Sequence, residues 1–77
     1  MFYTLNGIVF QQATEVFFDP FLVLVDGSRN DEDRDAVIGF DQNWRLLFVV
    51  YIEREDEIIR IISARQATRQ ERELYEV

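Results

Sequence analysis

The sequence predicts an α+β domain: a four-stranded antiparallel meander with a helix at each end, both helices packed on one face, in two layers. Three observations lead there. Apolar residues recur at helical steps before Pro20, four short β-branched runs follow with brief connections between them, and Thr68 and Glu71 form a capping box that opens a final helix.

Each element has its own signal. In "IVFQQATEVFFDP", Val9, Ala13, Val16 and Phe17 fall on one helical side, so a short amphipathic helix runs from about Val9 to Phe17 and Pro20 stops it. "FLVLVDG" is a continuous apolar run closed by Asp26-Gly27, which predicts a first strand and a turn. "SRNDEDRD" is a charged, breaker-rich connection. "AVIGF" is the second strand, and "DQNW" a tight turn of hairpin type. "WRLLFVVYIERE", the longest and most apolar run, suits the sheet centre. "REDE" turns the chain, "IIRIISAR" is the fourth strand, and the last helix runs from the capping box to about Tyr75. No repeat or low-complexity segment interrupts this order.

Composition narrows the function classes. At 77 residues the chain is one domain, residues 1–77, near the lower limit for a single core. It has no cysteine, which removes disulfides and thiolate metal sites, and no histidine, which removes the commonest general base and metal ligand. A cytoplasmic domain without metal or cofactor is the expectation. The apolar fraction of 48%, with seven phenylalanines, is high for this length, so part of that surface is expected to be covered by a partner or a second copy. No apolar run is long enough to span a bilayer, and no basic start of a signal peptide is present. Net charge is −7, and all eight cations are arginine. That balance argues against strong non-specific nucleic-acid affinity, although a local arginine cluster can persist within an acidic chain.

The arginines of "IRIISARQATRQERELYE" form such a cluster. Regular alternation in the fourth strand puts Ile59, Ile61, Ser63 and Arg65 on one face, and Arg60, Ile62 and Ala64 on the other. In the helix, Arg69, Arg72 and Tyr75 follow one another at steps of three, so Arg65, Arg69, Arg72 and Tyr75 can converge where strand and helix meet. Guanidinium forks suit phosphate oxygens. Spacing alone leaves a second reading open: Arg72 with Glu76, Arg69 with Glu73, and Arg60 with Glu53 or Glu55 as ordinary surface pairs, worth about 0.3–0.5 kcal/mol each.

The same residues resemble a known family. "IRIISARQATRQERELYE" is similar to the closing signature of the BrnT toxins, "GIVFQQATEVFFDP" to their Gly-(Ile/Val)-x-Phe-x-x-Ala-x-x-Val-Phe-x-Asp-Pro helix, "DEDRDAVIG" to their Glu-Arg-x-x-x-Ile-Gly segment, and "RLLFVVYIER" to their Leu-x-Val-Val-Tyr-Thr-x-Arg strand. The match covers Gly7 to Glu76. The resemblance implies a RelE-like fold and a metal-independent ribonuclease that inhibits translation, in which the ribose 2′-hydroxyl attacks its own phosphate and arginines stabilise the charge that develops. It implies RNA as substrate and a DNA-binding BrnA-like antitoxin as partner. Arg60 and Arg65 become the candidate catalytic cations, with Tyr75 for proton transfer or base stacking, and Arg54, Arg69 and Arg72 the candidate RNA contacts.

The chain also departs from the family pattern. It begins "MFYTLNGI", without the usual first strand and most of the first helix, and Leu5 and Asn6 stand where a Lys-His pair is usual. Proton transfer would then fall to Tyr75 or to a carboxylate such as Glu53. A missing first strand would leave a sheet edge for a partner, so a homodimer or hetero-oligomer is expected. The alternatives are a catalytically weak or inactive shortened relative that acts as a binding module for an antitoxin or for itself, and an unrelated small assembly domain.

Overall fold

The computed structural model of the protein describes residues 4–5, 8–26, 34–53, 55 and 58–76. A small hairpin, β1 (Thr4–Leu5) and β2 (Ile8–Val9), leads into α1 (Phe10–Glu15), whose end tightens into a 3-10 turn at Val16–Phe18. Four strands follow: β3 (Val23–Asp26), β4 (Asp35–Phe40), β5 (Leu46–Glu53) and β6 (Ile59–Gln66), then α2 (Arg69–Glu76). The strands form one antiparallel meander in the order β3-β4-β5-β6. The expected α+β class, strand order and terminal helices are therefore what the chain adopts. Arg54 and most of the "SRNDEDRD" and "REDE" connections lie outside the described residues.

The first helix ends where its chemistry predicts. Asp19 donates its backbone N–H to the Val16 carbonyl at 3.1 Å and takes an extended conformation (φ −71°, ψ 117°), as a residue before proline is pushed to do.

Directly opposed residues on neighbouring strands point to the same side of a sheet. One side carries Val37, Leu47, Val49, Tyr51 and Ala64, which form a single buried cluster with Ile8, Ala13 and Val16 from the N-terminal segment. Gly39 belongs to this side, and a methyl group there would come within 2.8 Å of a Val16 side-chain carbon, so glycine is what lets the helix end approach the strand. The other side carries Ile38, Phe40, Leu46, Phe48 and Arg65. It is this second side that α2 meets, through Glu71 on Arg65 and Tyr75 on Phe40. The two-layer expectation with both helices on one face is thus corrected: the helices lie on opposite faces. The reason is visible in burial, since Ile38 and Leu46 on the second face are 0% and 4% exposed and need cover of their own.

Alternation in β6 needs a second correction. Ser63 lies opposite Val50 but Ile61 lies opposite Tyr51, so Ile62 is an extra residue in a β-bulge. Ile61 therefore shares the side of Ala64, and Arg60, opposite Ile52, shares the side of Ser63 and Arg65. A regular strand would have split the two arginines between faces.

Candidate functional site: an arginine strand and an aromatic cleft

Strand β6 and helix α2 carry the arginines. Arg65 lies in register with Phe48, its guanidinium carbon 4.5 Å from the ring centre. Its two terminal nitrogens donate to the two carboxylate oxygens of Glu71 at 2.7 and 2.8 Å, a bidentate pair. Glu71 is the capping-box residue foreseen in the sequence. It accepts the Thr68 backbone N–H at 2.8 Å, and its own N–H donates to the Thr68 hydroxyl at 3.2 Å. The hydrogen bond from Arg65 is the chief reason the Glu71 carboxyl titrates below its ordinary value, and burial works against it. The same bond raises the Arg65 pKa further, so the pair stays charged. A guanidinium has five N–H donors. Among the described residues Arg65 uses three, two on Glu71 and a longer one at 3.3 Å to the Gln66 carbonyl, so it is oriented yet not saturated.

The other candidates divide. Arg60 and Arg69 are exposed and make no ion pair among the described residues. Arg72 is exposed and pairs weakly with Glu76 at 3.8 Å, as the surface-pair reading anticipated. The side of α2 that turns inward carries Glu71 and Tyr75, four apart, so Arg69 and Arg72 do not converge with Tyr75 on Arg65. Glu53 is exposed at the far end of β5.

Tyr75 leads to the second region. Its ring meets Phe40 edge to face at 5.2 Å, and its hydroxyl donates to Asp19 Oδ2 at 2.7 Å. Burial and then the Asp19 carboxylate push its pKa up to about 12. Asp19 also accepts the backbone N–H groups of Phe21 and Phe40, both at 2.9 Å. Burial opposes its ionisation, yet these three donors outweigh it and hold the pKa below the usual value. Asp19 thus ties the end of the 3-10 turn, the end of β4 and the last turn of α2 together.

A second carboxylate organises the β4–β5 turn. Asp41 accepts the N–H groups of Asn43 (2.8 Å) and Arg45 (2.9 Å), and its other oxygen accepts Arg45 Nε at 3.2 Å. Trp44 donates its N–H to the Asp41 carbonyl at 3.2 Å with φ 60°, the left-handed position that such turns usually give to glycine. Glu15 accepts the Gln42 N–H at 3.1 Å and fastens α1 to the turn. Between these groups opens a cleft of about 360 Å³ lined by Glu15, Phe18, Asp19, Pro20, Phe40, Asp41, Gln42 and Trp44.

Sequence reasoning passed over Asp19, Asp41, Phe18 and Trp44. The available signals were a lone tryptophan in a turn that favours polar residues, and an Asp-Pro step directly after a helix. Among the described residues no helix is long and apolar enough to cross a membrane, and no group of three acidic side chains is placed to hold a metal ion.

The chain matches, over residues 5–71, a family described as the ribonuclease toxin BrnT of type II toxin–antitoxin systems. No curated protein matches it.

Proposed function

The chain belongs to the BrnT family of type II toxin–antitoxin ribonuclease toxins, and from that premise we propose that it is a metal-independent endoribonuclease that binds the RNA backbone along β6. The observation that carries this reading is the bulge at Ile62, which brings Arg60 to the face of Arg65. Arg65, held by Glu71 and Phe48 with donors left over, offers a fixed fork for a phosphate. Arg60 is four strand steps of about 3.3 Å further on, a spacing that serves a neighbouring nucleotide better than the same phosphate. Arg69 and Arg72, exposed on α2, extend the positive surface, and Arg54, the residue that follows β5 in sequence, belongs to the same proposal.

The reaction needs no group the chain lacks. The ribose 2′-oxygen attacks the adjacent phosphorus, the bond to the 5′-oxygen breaks, and the proton of the 2′-hydroxyl passes to the departing oxygen through solvent. Arginine lowers the barrier by stabilising the extra negative charge on phosphorus. Tyr75, with its hydroxyl on Asp19 and its pKa near 12, serves this chemistry as a support for α2 rather than as a base. Cleavage of messenger RNA would inhibit translation in the cytoplasm. A BrnA-like antitoxin would neutralise the chain in a hetero-oligomer.

A second reading has its own observation. The Arg65 charge is already matched by Glu71, and neither histidine nor lysine is present, which suits a weak or inactive relative kept for antitoxin binding. One experiment separates them: cleavage of an end-labelled RNA at low salt in EDTA by the protein and by Arg60→Ala. Cleavage that survives the chelator and falls about tenfold or more in the variant, equivalent to at least about 1.4 kcal/mol of barrier, supports the nuclease. Cleavage lost in EDTA, or unchanged in the variant, overturns it. No cleavage by the parent protein leaves the binding module.

A further inference from the structure

The cleft beside the β4–β5 turn is unused by the reading above and is opposite to it in chemistry. Its walls are largely aromatic: Phe18 is 85% exposed and Trp44 81% exposed, and Pro20 and Phe40 also line it. Its charge is negative. Glu15, Asp19 and Asp41 line it, and the one cation bonded to any of them among the described residues is Arg45, on Asp41. The three carboxylates are already fixed by backbone donors, so their positions do not have to be organised when something binds. About 360 Å³ is at the small end of ligand sites, which run from about 300 to 1,000 Å³. That is room for one long side chain and its neighbours, not for a folded surface.

We propose that this cleft docks an arginine or lysine side chain from a basic segment of a protein partner, the cation lying against the Trp44 ring with Glu15 and Asp19 as counter-charges. Exposed tryptophan is the best aromatic partner for a cation, and guanidinium, being flat and weakly hydrated, stacks on it most readily. The carboxylates repel a nucleic-acid backbone, so RNA is the wrong occupant. A second copy is opposed at long range, because each chain carries net −7, and the same field draws a basic segment in. The inference stands whether or not the chain cleaves RNA.

Trp44 is the chain's sole tryptophan, so its fluorescence reports on the cleft alone. The test titrates the whole protein with the peptide Gly-Leu-Arg-Leu-Gly and, separately, with its citrulline counterpart, which has the same shape without the charge. Expected is a saturable change in Trp44 emission with the arginine peptide, about tenfold weaker with citrulline. Glu15→Gln, which keeps an acceptor for the Gln42 N–H, should weaken binding severalfold, and so should Phe18→Ser at an exposed position. Both variants should keep the parent's melting temperature and any RNA cleavage. Equal binding of the two peptides, or no saturable response into the millimolar range, overturns the proposal. So does a Trp44 response to an RNA oligonucleotide in place of the peptide, or one that follows protein concentration as two copies associate.

Discussion

The arginine corner at β6 and α2 and the carboxylate end at Asp19 and Asp41 use charge in opposite ways. At the corner a single carboxylate, Glu71, serves a side-chain cation and a helix start at once. At the carboxylate end two side chains are spent mainly on backbone N–H groups, from Phe21 and Phe40 on Asp19 and from Asn43 and Arg45 on Asp41. The groups left facing solvent differ accordingly: guanidinium at the corner, aromatic rings at the end. In an acidic chain the tally of charges therefore says little about which are free for a ligand. Arg60 and Arg69 are available because no described carboxylate claims them, whereas Asp41, although acidic, is 5% exposed and committed to its turn.

The largest break in that contrast comes from Asp19→Ala. Three donors lose their acceptor, two of them partly buried, and at about 1 kcal/mol each the loss is about 3 kcal/mol. For a domain of this size each kcal/mol lowers the melting temperature by about 4–8 °C, so calorimetry should show a fall of at least roughly 10 °C. Tyr75→Phe removes only one of the three bonds and should give under half of that. The alkaline limb has the same origin. Because the Tyr75 pKa rises from 10.0 to about 12 on folding, its contribution is complete below pH 10 and disappears as the pH climbs towards 12. Tyr75→Phe should flatten that limb. A fall of less than 4 °C for Asp19→Ala would mean that Asp19 is not the tie between the helix end, β4 and α2.

Glu71→Ala is the matching break at the arginine corner, with an expected loss of about 1–1.5 kcal/mol. Arg65 is more than a third exposed on its side chain (42%), and solvent weakens the pair, so most of this comes from the cap. Its pH signature runs the other way from that of Tyr75. The Glu71 pKa is lowered on folding, so its contribution is present above the ordinary value of 4.5 and is lost as the pH falls through the lowered one. Urea unfolding of parent and variant should therefore converge in acid. Equal gaps at pH 7 and at pH 3 would place the effect in the packing of the Glu71 side chain and not in its charge, since alanine is the better helix former.

These two experiments also mark what was legible beforehand. The Thr68–Glu71 box could be read because it needs only four consecutive residues and one local hydrogen-bond geometry. The strands could be read because β-branched runs bounded by breakers have few other solutions. The side of the sheet taken by α2 was not legible. It depends on Ile38 and Leu46 needing cover on the face that α1 leaves, a fact about register. Nor was the bulge, since "IRIISAR" alternates as well with an extra residue as without one, and only the pairing of Val50 and Tyr51 decides. Asp19 was hidden for a similar reason: its partners Phe40 and Tyr75 are 21 and 56 residues away. Local pattern finds local hydrogen bonds, and the candidate site is made largely of distant ones.

The smallest effect sharpens the comparison most, because its sign is reversed. Trp44 occupies a left-handed turn position at φ 60° where a side chain is disfavoured, and its ring is exposed, so little packing repays the strain. Its one ring contact among the described residues, edge to face with Phe40 at 5.9 Å, is not enough to favour tryptophan over glycine in the folded protein. Glycine relieves strain of about 1–2 kcal/mol but loosens the unfolded chain by about 0.5–1 kcal/mol, so the two terms partly cancel. Trp44→Gly should therefore stabilise the protein by up to about 1 kcal/mol, seen as a slightly higher urea midpoint with an unchanged slope. A residue whose removal improves folding is held in place by something other than folding. If Trp44→Gly instead destabilises by 1 kcal/mol or more, the ring is part of the structural core of that end, and the contrast between committed carboxylates and available aromatics fails at its most exposed point.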